Sequence, residues 1–287
     1  MATMNSSAAF ASLAAPPHAA EPRRRDSWAD RVQSASGVLW FLAAAAGQWL
    51  FVAYVAGHYG PRLLRGGLPA LERSALPDGY VPGDALGNVA IAFHVVVAIV
   101  IVGGGPLQLI PAIRRYFPSF HRWLGRTYVT LAVVTSFAGL HLVWTRGVPG
   151  GLVGHVAISL DAVLIITFAA IAVRFAMARR IDLHRRWTMR LFMVVSAVWF
   201  FRIGLMFWFM TTGGIGIDPE TFQGPFLSFM YFAQMALPLG VLEIHFRAQD
   251  ASSAAPKLAA SLVILASTAV TAMGVFAATI GMWLPRL

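Results

Sequence analysis

Histidines and arginines at repeated spacings are the side chains in this sequence best suited to carry chemistry. His121-Arg122-Trp123-Leu124-Gly125-Arg126 leads into an apolar run, and His184-Arg185-Arg186-Trp187-Thr188-Met189-Arg190 leads into another. Each reads His-Arg, then Trp, then Arg three residues after it, and the second has one extra residue before its Trp. A further histidine precedes each motif inside apolar sequence: His94 stands 27 residues before His121, and His155 stands 29 before His184. This is the signature of an internal repeat. Paired histidines on facing helices can hold a metal or cofactor between them. Two imidazoles suit haem b, leave no open iron position, and so favour electron transfer over oxygen chemistry. His121 with His184 and His94 with His155 are therefore the expected haem-iron ligand pairs. Arg122, Arg126, Arg185, Arg186 and Arg190 stand ready for anionic propionates at one of them, with Trp123 and Trp187 near the macrocycle.

The elements that must position these residues follow from composition. The chain has 287 residues, 58% of them apolar and only 12% charged, with mean hydropathy +0.68. Soluble domains are nearer half apolar and a quarter charged, so an ordinary soluble enzyme and a disordered chain are excluded. The absence of cysteine removes disulfides, thiolate metal sites, Fe–S clusters and catalytic thiols. No nucleotide loop, zinc-protease helix or hydrolase elbow occurs, and no catalytic residue is assigned. A bilayer core needs roughly 20 apolar residues per helix. Seven stretches qualify, at 37–56, 85–110, 127–145, 151–173, 191–212, 225–243 and 259–283. The expectation is an all-α polytopic membrane protein with seven transmembrane helices. Its four-helix core would come from two parallel helix-hairpin repeats, 85–146 and 151–212, with spans one, six and seven flanking it. Residues 1–34 read as a disordered, basic cytoplasmic tail and 35–287 as the membrane domain.

Sidedness comes from counting Lys and Arg in alternate loops. Sixteen fall on one side and five on the other, with Arg202 inside a span. The N-terminus is thus expected in the cytoplasm and the C-terminus outside. The net charge of +10 then records topology, with the lipid bilayer and its phosphates as partner rather than nucleic acid. Helical rise sets depth: His94 and His155 lie roughly 24 and 28 Å from the cytoplasmic ends of their helices, and His141, at roughly 22 Å, competes with His155. Asp161 and Arg202 both lie roughly 18–20 Å up, which suggests a buried ion pair. In the competing arrangement Arg202 faces an outer haem propionate or substrate and Asp161 carries a proton.

Plainer readings compete with each of these. His-Arg-Trp at a helix start also satisfies the positive-inside rule and the aromatic belt. An ionisable His94 deep in a span reads as functional by default, against a neutral imidazole bonded to a carbonyl or to Gln108. His58 and His18 read as solvated. Gly103-Gly104-Gly105-Pro106 predicts a kink or a close helix contact. Glu243, His245 and Arg247 read as an interfacial cluster.

Gly105-Pro106-Leu107-Gln108 and the two His-Arg motifs together resemble a family of bacterial membrane proteins catalogued as domain of unknown function 2306. The likeness covers roughly residues 85–205 and implies a polytopic membrane protein without naming an activity. His94, His121 and His184 fall on positions of that pattern, and His155 does not. A broader architectural likeness is to transmembrane di-haem cytochromes b and ferric reductases. It implies haem b and electron transfer between a quinol or cytoplasmic donor and an outer acceptor. The alternative is a haem-free transporter, proton-handling or assembly protein, in which His94, Asp161 and Arg202 form the polar path. Oligomeric state is open.

Overall fold

The computed structural model describes residues 28–72 and 79–287. Among these the protein is helical, with no strand beyond a single bridge between Asp218 and Gln223. Six helices are long and apolar enough to cross a bilayer: α1 (Trp28–Gly66), α2 (Ala85–Leu109), α4 (Pro118–Arg146), α5 (Gly151–Met177), α8 (Pro225–Asp250) and α9 (Ala254–Ala278, continued by a further turn). A seventh crossing is made by α6 (Ile181–Val195) and α7 (Ala197–Thr212), bent by 53° at Ser196. The short α3 (Pro111–Tyr116) links α2 to α4. The seven expected spans are thus present, the fifth of them broken.

Helix α1 begins at Trp28 rather than after residue 34, because Ala29 and Gln33 bury themselves against other helices. Residues 28–34 are therefore ordered helix, not tail; the tail expectation for 1–27, with His18, lies outside the described residues. Asp30 pairs with Lys257 at the start of α9, and His58 meets the Arg286 carbonyl at the far end. Helices α1 and α9 consequently run parallel, and Trp28 and Leu287 lie at opposite ends of the bundle.

Two hairpins, α2 with α4 and α5 with α6–α7, are joined by the packing of α4 on α5. Spans one, six and seven do more than flank them. The bent α6–α7 rod is buried along much of its length, through Leu191, Phe192, Met193, Val194, Ala197, Trp199 and Ile203, and packs on α5, α8 and α9. Sharp bends need a specific cause. Here Ser196 leaves helical geometry (ψ 0°) and its hydroxyl accepts a hydrogen bond from buried Gln48 of α1 at 3.0 Å. The glycine run of α2 shows the close-approach alternative, since the helix continues unbroken through Pro106. A Cβ on Gly104 would stand 3.2 Å from Leu124 of α4, and one on Gly105 3.0 Å from Phe192 of α6. Large apolar side chains such as Leu42, Val96, Phe137, Val163 and Leu262 face outward, as a lipid-solvated surface requires.

Candidate functional site

The bundle has two distinct ends, and the His-Arg motifs occupy the arginine-rich one. Pro118 starts α4 three residues before His121, and Arg180 precedes the first turn of α6 four residues before His184. Both histidines therefore stand in the first turns of their helices. Gln108, at the end of α2, donates to the His121 carbonyl at 3.1 Å, and a Cβ on Gly125 would meet its side-chain oxygen at 3.3 Å. This explains why the Gly-Pro-Leu-Gln segment and the first His-Arg motif occur together: one polar side chain clamps the α2–α4 crossing at the imidazole.

The two rings differ in how they are held. His184 Nδ1 lies 2.9 Å from the Ala172 carbonyl oxygen of α5. A carbonyl only accepts, so Nδ1 carries the hydrogen and neutral His184 keeps its lone pair on Nε2. His121 Nδ1 is buried without a hydrogen-bond partner. The charges of Arg114, His184 and Arg122 all reach the His121 ring, so the repeat does bring its two motif histidines into one neighbourhood. No group of three or more His, Asp or Glu that could hold a metal ion occurs among the described residues. Two imidazoles, one oriented by a backbone carbonyl and one unsatisfied, still form the donor set that a bis-imidazole haem requires.

The arginines nominated for propionates divide sharply. Arg122 bonds Ser119 at 3.2 Å, and Arg126 stacks on exposed Trp123 at 5.3 Å; neither meets a carboxylate. Arg185 is exposed. Arg190 is instead committed to Glu243 of α8 at 2.6 Å and lies over both Trp187 and Phe246. Arg186 forks onto Asp250 of α8, with one contact at 2.9 Å. Arg190 and Arg186 are thus structural anchors of α6 on α8. The expected Glu243–His245–Arg247 cluster dissolves accordingly: Glu243 serves Arg190, while Gln33 of α1 donates to the His245 carbonyl at 3.0 Å. The spacing of Glu243, Phe246 and Asp250, on one face of α8 at i, i+3 and i+7, was the available signal.

The outer pair does not assemble. His155 turns back onto the Gly151 carbonyl at 2.7 Å and packs edge-on against Trp144 at 5.3 Å. Helix α2 packs on α1 and α4, not on α5, so His94 meets Arg202 of α7 electrostatically instead. His94 and His155 do not offer a second bis-imidazole site. His141 lies near Asp84 at the same end.

The Asp161–Arg202 ion pair is also corrected. Arg202 Nη1 donates to the Val198 carbonyl at 3.2 Å, and its guanidinium lies over Phe51 of α1 at 5.4 Å. Asp161 Oδ1 is buried without a partner. Their helices have different neighbours: α5 packs on α4, α6 and α8, while α7 packs on α8 and α9. His58, expected in solvent, is 5% exposed because α1 continues past its apolar run to Gly66.

Fold and site together define a multi-pass, all-helical membrane protein with an imidazole pair at its arginine-rich end. Residues 91–218 match the model of a family described as "Predicted membrane protein (DUF2306)", so the family resemblance read from the His-Arg motifs holds over that segment. The matched segment contains all four nominated histidines, Asp161 and Arg202, and leaves out α1, α8 and α9. No curated protein and no solved structure matches the chain.

Proposed function

We propose that this protein is a membrane electron-transfer protein that holds a single b-type haem between His121 and His184. The observation that supports it is that the charge of His184 reaches the His121 ring, one imidazole being oriented through Nδ1 and the other unsatisfied. Bound there, haem b would supply one-electron chemistry. His184 presents Nε2, fixed by Ala172; His121 is steadied through its backbone by Gln108; Arg114 and Arg122 supply positive charge for carboxylates. With the arginine-rich end cytoplasmic, as the positive-inside bias implies, this pair meets a quinol or cytoplasmic donor at the inner face of a bacterial cell membrane. The two-haem, membrane-spanning form of the idea is not retained, because His94 and His155 stay apart.

The test is a reduced-minus-oxidised spectrum of the purified full chain. Haem b bands are expected, abolished by His121→Ala or His184→Ala and displaced rather than abolished by His121→Met. Haem-free protein from haem-replete cells would overturn the reading.

One observation favours a second reading, proton-coupled transport without haem. Asp161 Oδ1 and Thr135 Oγ1 are both buried and unpartnered on adjacent helices α5 and α4, each about 15–16 Å from the end of the bundle opposite the arginines. Proton flux into liposomes, slowed by Asp161→Asn, would support it.

A further inference from the structure

Arg202 presents a problem that neither reading resolves. It is half-buried in the membrane-spanning part of α7, beside α1, and its groups in reach are Tyr54, Tyr59, Phe51, His94 and Arg286. No carboxylate among the described residues pairs with it. Phenols are uncharged at neutral pH, so they do not neutralise it, and Arg286 adds a second positive charge. An ion left unpaired in such surroundings is costly, and guanidinium does not escape by losing its proton.

The neighbouring polar atoms are equally unsatisfied. His94 Nδ1, fully enclosed, has no hydrogen-bond partner, and neither do His58 Nε2 and Trp283 Nε1. These groups share neighbours. Trp283 stacks on Tyr54 at 6.4 Å and tilts against Phe51 at 5.5 Å, and His58 lies 5.4 Å from Tyr54. The indole N–H can only donate. The region therefore combines a fork-shaped cation, an unpartnered indole donor and unpartnered imidazole nitrogens beside aromatic rings that pack on one another.

We propose that this region, formed by α1, α2, α7 and the C-terminal turn, binds a monocarboxylate carried on an apolar body. The carboxylate would take both nitrogens of the Arg202 fork, the arrangement that planar guanidinium favours. Its apolar body would lie along the lipid-facing surface at exposed Val198, whose carbonyl the guanidinium already meets. Two sources share this chemistry: a fatty acid drawn from the bilayer and an aromatic carboxylate from water. The site stands apart from the His121–His184 pair, so it holds whether or not that pair binds haem.

The experiment uses the full chain in a neutral maltoside detergent and follows thermal unfolding against sodium benzoate and, separately, laurate, with sodium chloride at equal ionic strength as control. A ligand that binds only the folded form raises Tm in a saturable way. A saturable rise with benzoate alone indicates the aqueous source, and one with laurate alone the bilayer source; either supports the site. Arg202→Gln is expected to abolish the rise, and Arg202→Lys, which keeps the charge but loses the fork, to weaken the apparent affinity about tenfold. Should Arg202→Gln fail to fold, His94→Gln is expected to weaken the affinity at least threefold. The proposal is overturned if neither carboxylate gives a saturable rise, or if the rise persists unchanged in Arg202→Gln or, where that variant does not fold, in His94→Gln.

Discussion

The two copies of the His-Arg motif share a residue pattern and live in opposite surroundings. The first opens α4 at the edge of the bundle: Trp123 is 67% exposed, Arg126 covers it, and Arg122 reaches only a serine. The second opens α6 against α8, where Glu243 and Asp250 take its arginines and Phe246 takes their flat faces. The first is left largely exposed, and the second is packed against protein. What the copies keep in common is the imidazole, turned in both cases toward the interior. The arginines around it find different partners in the two copies.

The largest expected effect breaks this contrast directly. Arg190→Ala strands Glu243 and removes two cation–aromatic contacts, which should cost about 2 kcal/mol, a typical figure for a hydrogen bond to a charged group. The equivalent Arg126→Ala removes only an exposed stacking contact and should stay within about 0.5 kcal/mol. Thermal unfolding of the two variants in one detergent checks the difference, and the exchanged pair Arg190→Glu with Glu243→Arg should recover part of the loss. Equal destabilisation by both alanines would show that the copies are not differently anchored. A smaller effect separates how each imidazole is held. Gln108→Leu frees the His121 carbonyl and should cost about 1 kcal/mol. Faster amide exchange is then expected in the first turns of α4, with none in α6, whose histidine depends on Ala172.

These contrasts also mark where sequence reasoning stops. Seven crossings are legible because hydrocarbon leaves backbone groups no partner but their own helix, which forces long apolar runs. The break at Ser196 has no proline or glycine to announce it; it depends on Gln48, 148 residues away. Rise per residue speaks only to height along a helix, and height is the whole basis for pairing Asp161 with Arg202. Azimuth does not follow, and that separates them: one faces α4, α6 and α8, the other α1. The same gap parts His94 from His155. His121 and His184 stand instead in the first turns of their helices, where His184 meets the Ala172 carbonyl of α5 and its charge reaches the His121 ring. His58 was misplaced for a different reason, since α1 outruns its apolar stretch and the chain's own end packs over it.

The smallest effect concerns the opposite end of the first hairpin, where Asp84 joins α2 to α4. Its carboxylate caps α2 by accepting the Gly87 amide at 2.9 Å and holds Arg146 at 2.8 and 2.9 Å, while Asn88 accepts a further bond from Arg146 at 2.7 Å. The capping amide first, and the Arg146 bond second, hold the Asp84 carboxyl below the usual carboxylate range. A carboxylate whose folded form resists protonation stabilises the fold above the unfolded pKa and loses that contribution as pH falls through the folded one. Stability should therefore be insensitive to pH around neutrality and decline below about pH 4, where unfolded Asp begins to bind protons. Asp84→Asn retains a capping oxygen but not the charge, so it should flatten this acid limb while leaving the Arg190–Glu243 anchor intact. An acid limb of unchanged steepness in Asp84→Asn would assign the acid sensitivity to Asp250 instead, whose carboxyl the Arg186 hydrogen bond also holds below the usual range, and so to the second copy of the motif.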